Sequence, residues 1–392
     1  MTFFPDIGIT GIFPAPTHPS MKKVLVTGAN GFLGSNLVRI LLHRGFQVKA
    51  FLLKGVPYHT IASLPIGFFY GDLLQPRSIQ RAVAGCDYVV HLAAKPSVWP
   101  TRSDEVRKVN IEGTRHVVQA CLRAGIERLI HISSAASFPF GTKEHPGVEA
   151  IDRAPVVYDM DYIYSKWKSQ QLVLQAVVEA KLPALVINPT YMLGPYGRPS
   201  GSNQMILRAY QGSLPAFTGG GKNFVHVTDV AVAIANALTK GRIGQCYIAG
   251  NENLSYRELF GKIARLLQAP PPRFLAPDWL MKGFGWCSSQ LAQVLPIRPA
   301  LNYSTARIAC DGQYYSAARA VAELNMPQTP VDQAIVDAFQ WFTDIGAVKL
   351  KKHEQLIWKS SADHRLQHGY RQATSAGIRQ EGRAFGNQRQ KS

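Results

Sequence analysis

Apolar positions in the first half of the chain alternate between two rhythms. Runs that are apolar almost throughout, Lys23 to Thr27, Gln47 to Leu53, Phe68 to Tyr70, Tyr88 to Leu92 and Arg128 to Ile132, read as strands buried on both faces. Between them, Phe32 to His43, Ser78 to Ala84 and Ile111 to Ala124 carry apolar residues at helical spacing. A long helix is predicted from about Tyr162 to Ala180, then a strand from Ala184 to Asn188. Strand alternating with helix predicts an α/β fold, a doubly wound parallel sheet covered by helices on both sides. Beyond Pro189 the rhythm loosens around Gly194, Pro195, Gly197 and Gly219 to Gly221, and the chain to Trp341 reads as a smaller C-terminal α/β lobe. Phe274 to Ile297 is the most apolar late stretch. With Asp278, Lys282 and several Gly, Ser and Gln it is a poor membrane span, and an amphipathic helix is expected there.

The first strand runs into Gly28-Ala29-Asn30-Gly31-Phe32-Leu33-Gly34, and the first helix follows. A sharp turn at Gly28, no side chain at Gly31 and close helix–strand packing at Gly34 are what a pyrophosphate at a helix N-terminus requires. That position, directly after a strand, makes a dinucleotide site the expectation. The second strand ends in Lys54 with no acid nearby, where an acid would hold a ribose 2′-hydroxyl. A cation there pairs with a 2′-phosphate, so NADP is expected, with NAD as the alternative.

Tyr162 and Lys166 stand at i and i+4, neighbours on one helical face. A phenol ordinarily titrates near ~10. An ammonium beside it favours the phenolate, which suits the pair to exchanging protons with an alcohol or ketone. Ser134, just past the strand Arg128 to Ile132, would hydrogen-bond the substrate oxygen; Ser133-Ser134 could equally cap a helix. Tyr164 and Lys168 form a competing pair, but two residues turn a helix by about 200°, so only one pair can face the cofactor.

Together these segments resemble the extended short-chain dehydrogenase/reductases, the NAD(P)-dependent epimerase/dehydratases, over about residues 21 to 342. Further carriers are Gly71-Asp72-Leu73, His91-Leu92-Ala93-Ala94, Asn110-Ile111-Glu112-Gly113-Thr114, Asn188-Pro189-Thr190 and His226-Val227-Thr228-Asp229-Val230. The resemblance implies a Rossmann-type domain over residues 21–188, to which some later segments return, and a mainly substrate-binding lobe over 189–342. It implies Tyr162 as proton donor or acceptor and Lys166 as the group that lowers its pKa and holds the nicotinamide ribose. Ser134 would orient the substrate, and Asn110 matches an asparagine that supports the lysine. Gly28, Asn30, Gly31, Phe32, Leu33 and Gly34 would line the cofactor with Lys54, Asp72, Leu73, Leu92, Ala93, Ala94 and Pro189. The family's Tyr-x-x-Ser-Lys pattern selects Tyr162 with Lys166 over the competing pair. Family members commonly dimerise through two helices of the cofactor domain, so a homodimer is expected.

Within the family the sequence looks most like the dihydroflavonol-4-reductase-like and hopanoid-associated sugar-epimerase branch, through Pro215-Ala216-Phe217, Gly241-Arg242-Ile243-Gly244 and Tyr315-Ser316-Ala317-Ala318-Arg319. Ala135 to Gly141 lacks the Val-Tyr-Gly that sugar epimerases usually carry after the serine strand. That departure and Lys54 favour a reductase or dehydrogenase of a small, hydrophobic or aromatic substrate over a nucleotide-sugar epimerase or dehydratase. A non-catalytic dinucleotide sensor ranks third, because Ser134, Tyr162 and Lys166 are all in place. Phe138, Tyr191, Met192, Met205, Phe217 and His226 are candidate pocket residues.

Composition adds compartment and partners. Hydrophobic residues at 46% and charged residues at 17% exclude a disordered chain. Five scattered cysteines without a C-x-x-C argue against a disulfide framework or a zinc site and point to a reducing cytoplasm. The net charge is +18, and residues 347–392 hold ten Lys and Arg against three Asp and Glu. That basic tail, residues 343–392, reads as solvated and flexible rather than bound to nucleic acid or membrane. Residues 1–20 lack a signal peptide's basic start and apolar run and read as an extension ahead of Met21.

Overall fold

The computed structural model describes residues 21–348 apart from 157, 296, 298 and 300; the N-terminal extension and nearly all of the basic tail lie outside the described residues. The chain divides into two units, residues 1–341 and 342–392. Of the second, only 342–348 are described, the close of a helix and the turn after it.

In the first unit the strands are β1 Lys23–Thr27, β2 Gln47–Leu52, β3 Gly67–Tyr70, β4 Tyr88–His91, β5 Arg128–Ile132, β6 Ala184–Pro189 and β7 Tyr191–Leu193. They continue with β8 Ala216–Phe217, β9 Gly221–His226, β10 Cys246–Ala249, β11 Glu252–Ser255, β12 Phe274–Leu275 and β13 Gly312–Gln313. The helices used below are α1 Phe32–His43, α2 Pro76–Val83, α3 Asp104–Arg107, α4 Gly113–Ala124, α5 Asp161–Ala180, α6 Gln204–Tyr210, α7 Val227–Ala237, α8 Tyr256–Leu267, α9 Asp278–Val294 and α10 Tyr303–Cys310.

Seven parallel strands form one sheet in the order β10-β6-β5-β4-β1-β2-β3. Alternate residues of each strand enter separate cores. Val24, Val26, Val90, Ile130 and Ile187 meet Leu37, Leu41, Val230 and Ile234 of α1 and α7 on one face. Leu25, Val89, Leu129 and Val186 meet Ile79 of α2 and Val117 and Cys121 of α4 on the other. Period-two side chains thus bury both faces of each strand, which is why the strand sequences are apolar without a break. Strand order reverses between β1 and β4, and that switch point puts the ends of β1 and β4 side by side.

Two details depart from the sequence reading. The helix expected from Ile111 begins earlier as a π-helical turn, Lys108–Glu112, and becomes regular only at Gly113. The edge strand β10, four residues long, gives too short a period to stand out, yet it pairs in register with β6.

Candidate functional site

At the switch point Gly28 adopts φ +70°, and a Cβ there would come within 2.9 Å of the Ala93 backbone at the end of β4. A Cβ on Gly34 would meet the Gly28 carbonyl oxygen at 2.2 Å, so only glycine lets α1 sit directly on the turn. Gly31, exposed, is the N-cap of α1; it offers no side-chain cap, and the first turn holds no acid. The helix end therefore presents free N–H groups and its positive dipole end to an anion. Phe32, half-buried, and Leu33, buried, pack against the core under this turn. The cradle fits a dinucleotide pyrophosphate.

Asn30 donates to the Pro57 carbonyl at 2.9 Å, which ties the loop after β2 to the glycine turn, and that loop carries the exposed Lys54. Asp72 accepts from the Leu74 N–H at 2.9 Å and so closes its own turn, while Leu73 is buried against Gly113. Leu92, Ala93 and Ala94 line the half-buried loop after β4.

A buried relay links that loop to the centre of the site. The Ala93 N–H donates to Thr27 Oγ1 at 3.1 Å, and Thr27 Oγ1 meets His91 Nδ1 at 2.8 Å. His91 Nε2 lies 3.1 Å from Thr114 Oγ1, whose hydroxyl donates to the Asn110 carbonyl. Because Thr114 donates onward, the network assigns the His91 proton to Nε2 and leaves Nδ1 as acceptor. Burial pushes His91 down to about 3 and His131 well below its usual range, with the Lys166 charge adding to both. The two imidazoles, tilted by 35° with ring centres 5.4 Å apart, are neutral.

Asn110 sits in the π-helical turn, a distortion often found at functional sites. Its side chain accepts from the Lys95 N–H at 2.7 Å and donates to Ser165 Oγ at 2.9 Å, and Ser165 in turn donates to the Tyr162 carbonyl. The resemblance implied support of the lysine itself. The observed bonds go instead to Ser165, between Tyr162 and Lys166, and clamp the helix rather than the ammonium.

Lys166 is buried, and its Nζ donates to the Ile132 carbonyl at the end of β5. Burial pulls its pKa down to about 8. Ser133 Oγ donates to the Lys166 carbonyl and fastens α5 to β5, while Ser134 Oγ accepts from the Ala136 N–H at 3.2 Å. Ser134 thus caps the short turn Ala135–Ser137, yet its hydroxyl still carries a proton to donate. Asn188, next to Pro189 at the end of β6, donates to the Ser134 carbonyl at 2.9 Å. Tyr162 packs with Ala136, Phe140 and Ile308 around Tyr158, Met160 and Ile163. Lys168 is exposed, and the Tyr164 ring lies tilted against Trp167. The expected lowering of the Tyr162 phenol is not present in this structure: burial raises it, and the Lys166 ammonium is engaged by a backbone carbonyl.

The candidate pocket residues do not gather into one wall. His226 caps α7 through its Nδ1 and pairs with Asp337 at 3.0 Å, a structural role. Phe138 is core. Tyr191 donates to the Ser202 carbonyl, and Met192 packs on the α1–α7 core. Met205 lies in α6, and Phe217, half-buried in β8, meets Phe260 of α8 edge-on. An open cleft of about 550 Å³ lies instead against Phe140, Lys143, Asp311 and Tyr314. The sequence reading missed Lys222 on β9. Its Nζ donates to Gln313 Oε1 at 2.6 Å near the Tyr191 ring, and burial pulls it down to about 8 against the opposing charge of Asp311. A lysine directly after Gly219-Gly220-Gly221 was the available signal. Asp161, buried, was also missed. Burial raises its carboxyl, but Arg107, the Ser103 N–H and Arg102 outweigh it and hold the carboxyl below its usual range.

A doubly wound sheet with a glycine cradle at its switch point, and a serine, tyrosine and lysine set off the ends of the adjoining strands, defines a nicotinamide-dinucleotide enzyme acting on small molecules. The chain belongs to the NAD dependent epimerase/dehydratase family, whose model matches residues 24–250. A Synechocystis sp. protein provisionally named dihydroflavonol 4-reductase is 30% identical over 83% of this chain and 95% of its own. Sterol demethylase protein B of Methylococcus capsulatus is 33% identical over 83% of this chain and 99% of its own. The solved structure titled "Crystal structure of gox2253" superposes with a TM-score of 0.72 at 32% identity, covering 84% of this chain and all of that one. Among the described residues no helix is long and apolar enough to cross a membrane, and no three His, Cys, Asp or Glu side chains gather to hold a metal ion.

Proposed function

We propose that this enzyme is an NADP(H)-dependent reductase or dehydrogenase that interconverts a carbonyl and an alcohol on a small hydrophobic or aromatic substrate. The observation that carries the reading is Lys166, buried against the Ile132 carbonyl two residues before Ser134, with Tyr162 one turn earlier on α5 and packed on the same cluster as Ala136. Residues 21–188 hold the dinucleotide, with Gly28 to Gly34 at the pyrophosphate and the loop of Leu92 to Ala94 and Pro189 beside it. Residues 189–342 mainly hold the substrate. A nicotinamide held by residues 21–188 would supply or accept the hydride. Ser134 donates a hydrogen bond to the substrate oxygen, and the Tyr162 hydroxyl gives that oxygen its proton in the reducing direction and takes it back in the oxidising one. The raised phenol keeps its proton until the oxygen develops charge, and the Lys166 ammonium, largely protonated at neutral pH, stabilises the phenolate left behind. Asn110 and Ser165 are positioning residues for this helix.

Lys54 beside the glycine turn and the missing acid after β2 support NADP(H). The names of the two relatives, one a dihydroflavonol reductase and one a sterol demethylase protein, support a polycyclic apolar substrate. The free state of all five cysteines supports a cytoplasmic location, and the family resemblance supports a homodimer, which light scattering tests. Analysis of nucleotide released from fresh protein, followed by NADPH and NADH titration, tests the cofactor. Preference for NADPH supports the reading, whereas retained NAD without net turnover moves it to an epimerase or dehydratase. Tyr162→Phe is expected to lower turnover by roughly a hundredfold to ten-thousandfold while NADPH binding is kept. Tyr164→Phe should leave turnover near the parent value, and the reverse ranking overturns the assignment.

A further inference from the structure

The helix α9 is inside out. At about 100° per residue, Gly285 and Ser289 share one face, and both are buried. A Cβ on Gly285 would meet the Ala306 side chain of α10 at 2.7 Å, and Ser289 Oγ donates to the Gly285 carbonyl while accepting from the Tyr303 N–H. The inward face is thus small and polar. The outward half holds Trp279, Leu280, Phe284, Trp286, Leu291 and Val294, all exposed, with Trp279 at 74% and Val294 at 82%. The apolar surface continues on both sides, through Phe274 and Leu275 before the helix and Leu295 and Ile297 after it. A surface helix ordinarily turns its apolar stripe to the core. Single exposed apolar residues are normal, but a contiguous patch marks something that covers it.

We propose that this face of α9 is a docking surface for an anionic lipid bilayer, lying in the headgroup region without crossing it. The occupant follows from the chemistry of the patch. Trp279 and Trp286 stand within about 20° of each other on one edge of the helix, and indole rings suit the headgroup boundary, where one end is apolar and the other wet. Exposed Arg273 flanks the patch, and half-buried Lys282 pairs with Asp278 at 3.7 Å beside it, within a chain of net charge +18. A basic edge around an apolar face is what anionic lipid attracts. A protein partner would want hydrogen-bonding groups through the face, whereas Gln290 is the main polar side chain on it. The helix also leads toward the site: α9 packs on α10, and Ile308 of α10 packs on the same apolar cluster as Tyr162. Delivery of an apolar substrate from the bilayer follows only if the reading of Tyr162 holds; the docking itself does not depend on it.

The test is flotation of the full chain with phosphatidylcholine vesicles, with and without phosphatidylglycerol, beside the variant Trp279→Ser/Phe284→Ser/Trp286→Ser. The parent should float with phosphatidylglycerol vesicles and far less without it. The variant should lose at least about tenfold in bound fraction, with NADPH binding and thermal melting unchanged. Brominated acyl chains should quench tryptophan emission of the parent, a readout that needs no variant. A parent that does not float, or quenching that is absent, overturns the proposal. So does a variant that floats as well as the parent, which would assign the binding to the basic tail. A parent dimer that the variant converts to monomer, without vesicle binding by either, names a second copy as the occupant. No readout here is turnover, so a failed Tyr162→Phe experiment leaves this result standing.

Discussion

Helices α1 and α9 are both rich in large apolar residues, and they spend them in opposite directions. The first buries Leu33, Leu37, Val38, Ile40 and Leu41 between the sheet and α7. The second buries only Gly285 and Ser289 and turns its tryptophans and Phe284 to solvent. The glycine turn before α1 is held by backbone geometry that tolerates no Cβ, whereas the outer face of α9 touches little within its own chain. The cofactor half is therefore specified by what packs inside it. The outer part of the lobe is specified by what lies outside, so the two should answer very differently to substitution.

The largest contrast is between Gly34→Ala and Trp279→Ser. The added methyl at position 34 meets a backbone carbonyl oxygen at 2.2 Å, so α1 must shift off the turn, with an expected loss of about 3 kcal/mol and of NADPH binding. Removing an indole that is 74% exposed should change stability by no more than about 0.5 kcal/mol. Urea unfolding of both variants decides it, and equal losses would erase the distinction between the two regions.

Lys54→Glu tests whether the cofactor half also selects by exposed charge. A charge-assisted hydrogen bond contributes about 1.5–3 kcal/mol, so NADPH affinity should fall by roughly tenfold to a hundredfold while NADH affinity holds. An unchanged ratio in fluorescence titration would show that Lys54 does not read the 2′-phosphate.

A pH-dependent effect is expected at Lys222, a half-buried cation on β9. Its folded pKa is lowered to about 8 from 10.5, so below pH 8 the ammonium is held at a cost in the folded state. Between about pH 8 and 10.5 the folded form has released the proton that the unfolded form keeps, and the parent gains at most ~1.4 kcal/mol per pH unit. The stability advantage of Lys222→Met at pH 7 should therefore shrink as pH rises through that window. An advantage that is constant with pH, or one that grows, would mean that the ammonium is not penalised there.

Much of the cofactor half is legible along the chain because its constraints are local. An apolar run bounded by turns, a glycine triplet at a strand end and a tyrosine four residues before a lysine are all spacings, and spacing survives in one dimension. Hence the alternation to Ile132, the turn at Gly28 to Gly34 and the Tyr162–Lys166 face could be read without coordinates. Other features had no such signal. Strand β10 is four residues long and is ordered by its pairing with β6. Asn110 finds Ser165 rather than the lysine because a π-helical turn shifts it on the helix. His91 and His131 become a neutral pair only when β4 and β5 align them in register. His226 looked like a pocket residue until its cap and Asp337 were seen.

The stretch from Phe274 to Ile297 shows where that boundary falls. Its composition determined that it would be an amphipathic helix too polar to span a membrane, because local spacing sets which side chains share a face. Periodicity is symmetric under rotation about the helix axis, so it could not say which face would turn inward. Only the close approach of Gly285 to Ala306, possible because both residues are small, rotated the helix so that its aromatic side faces out.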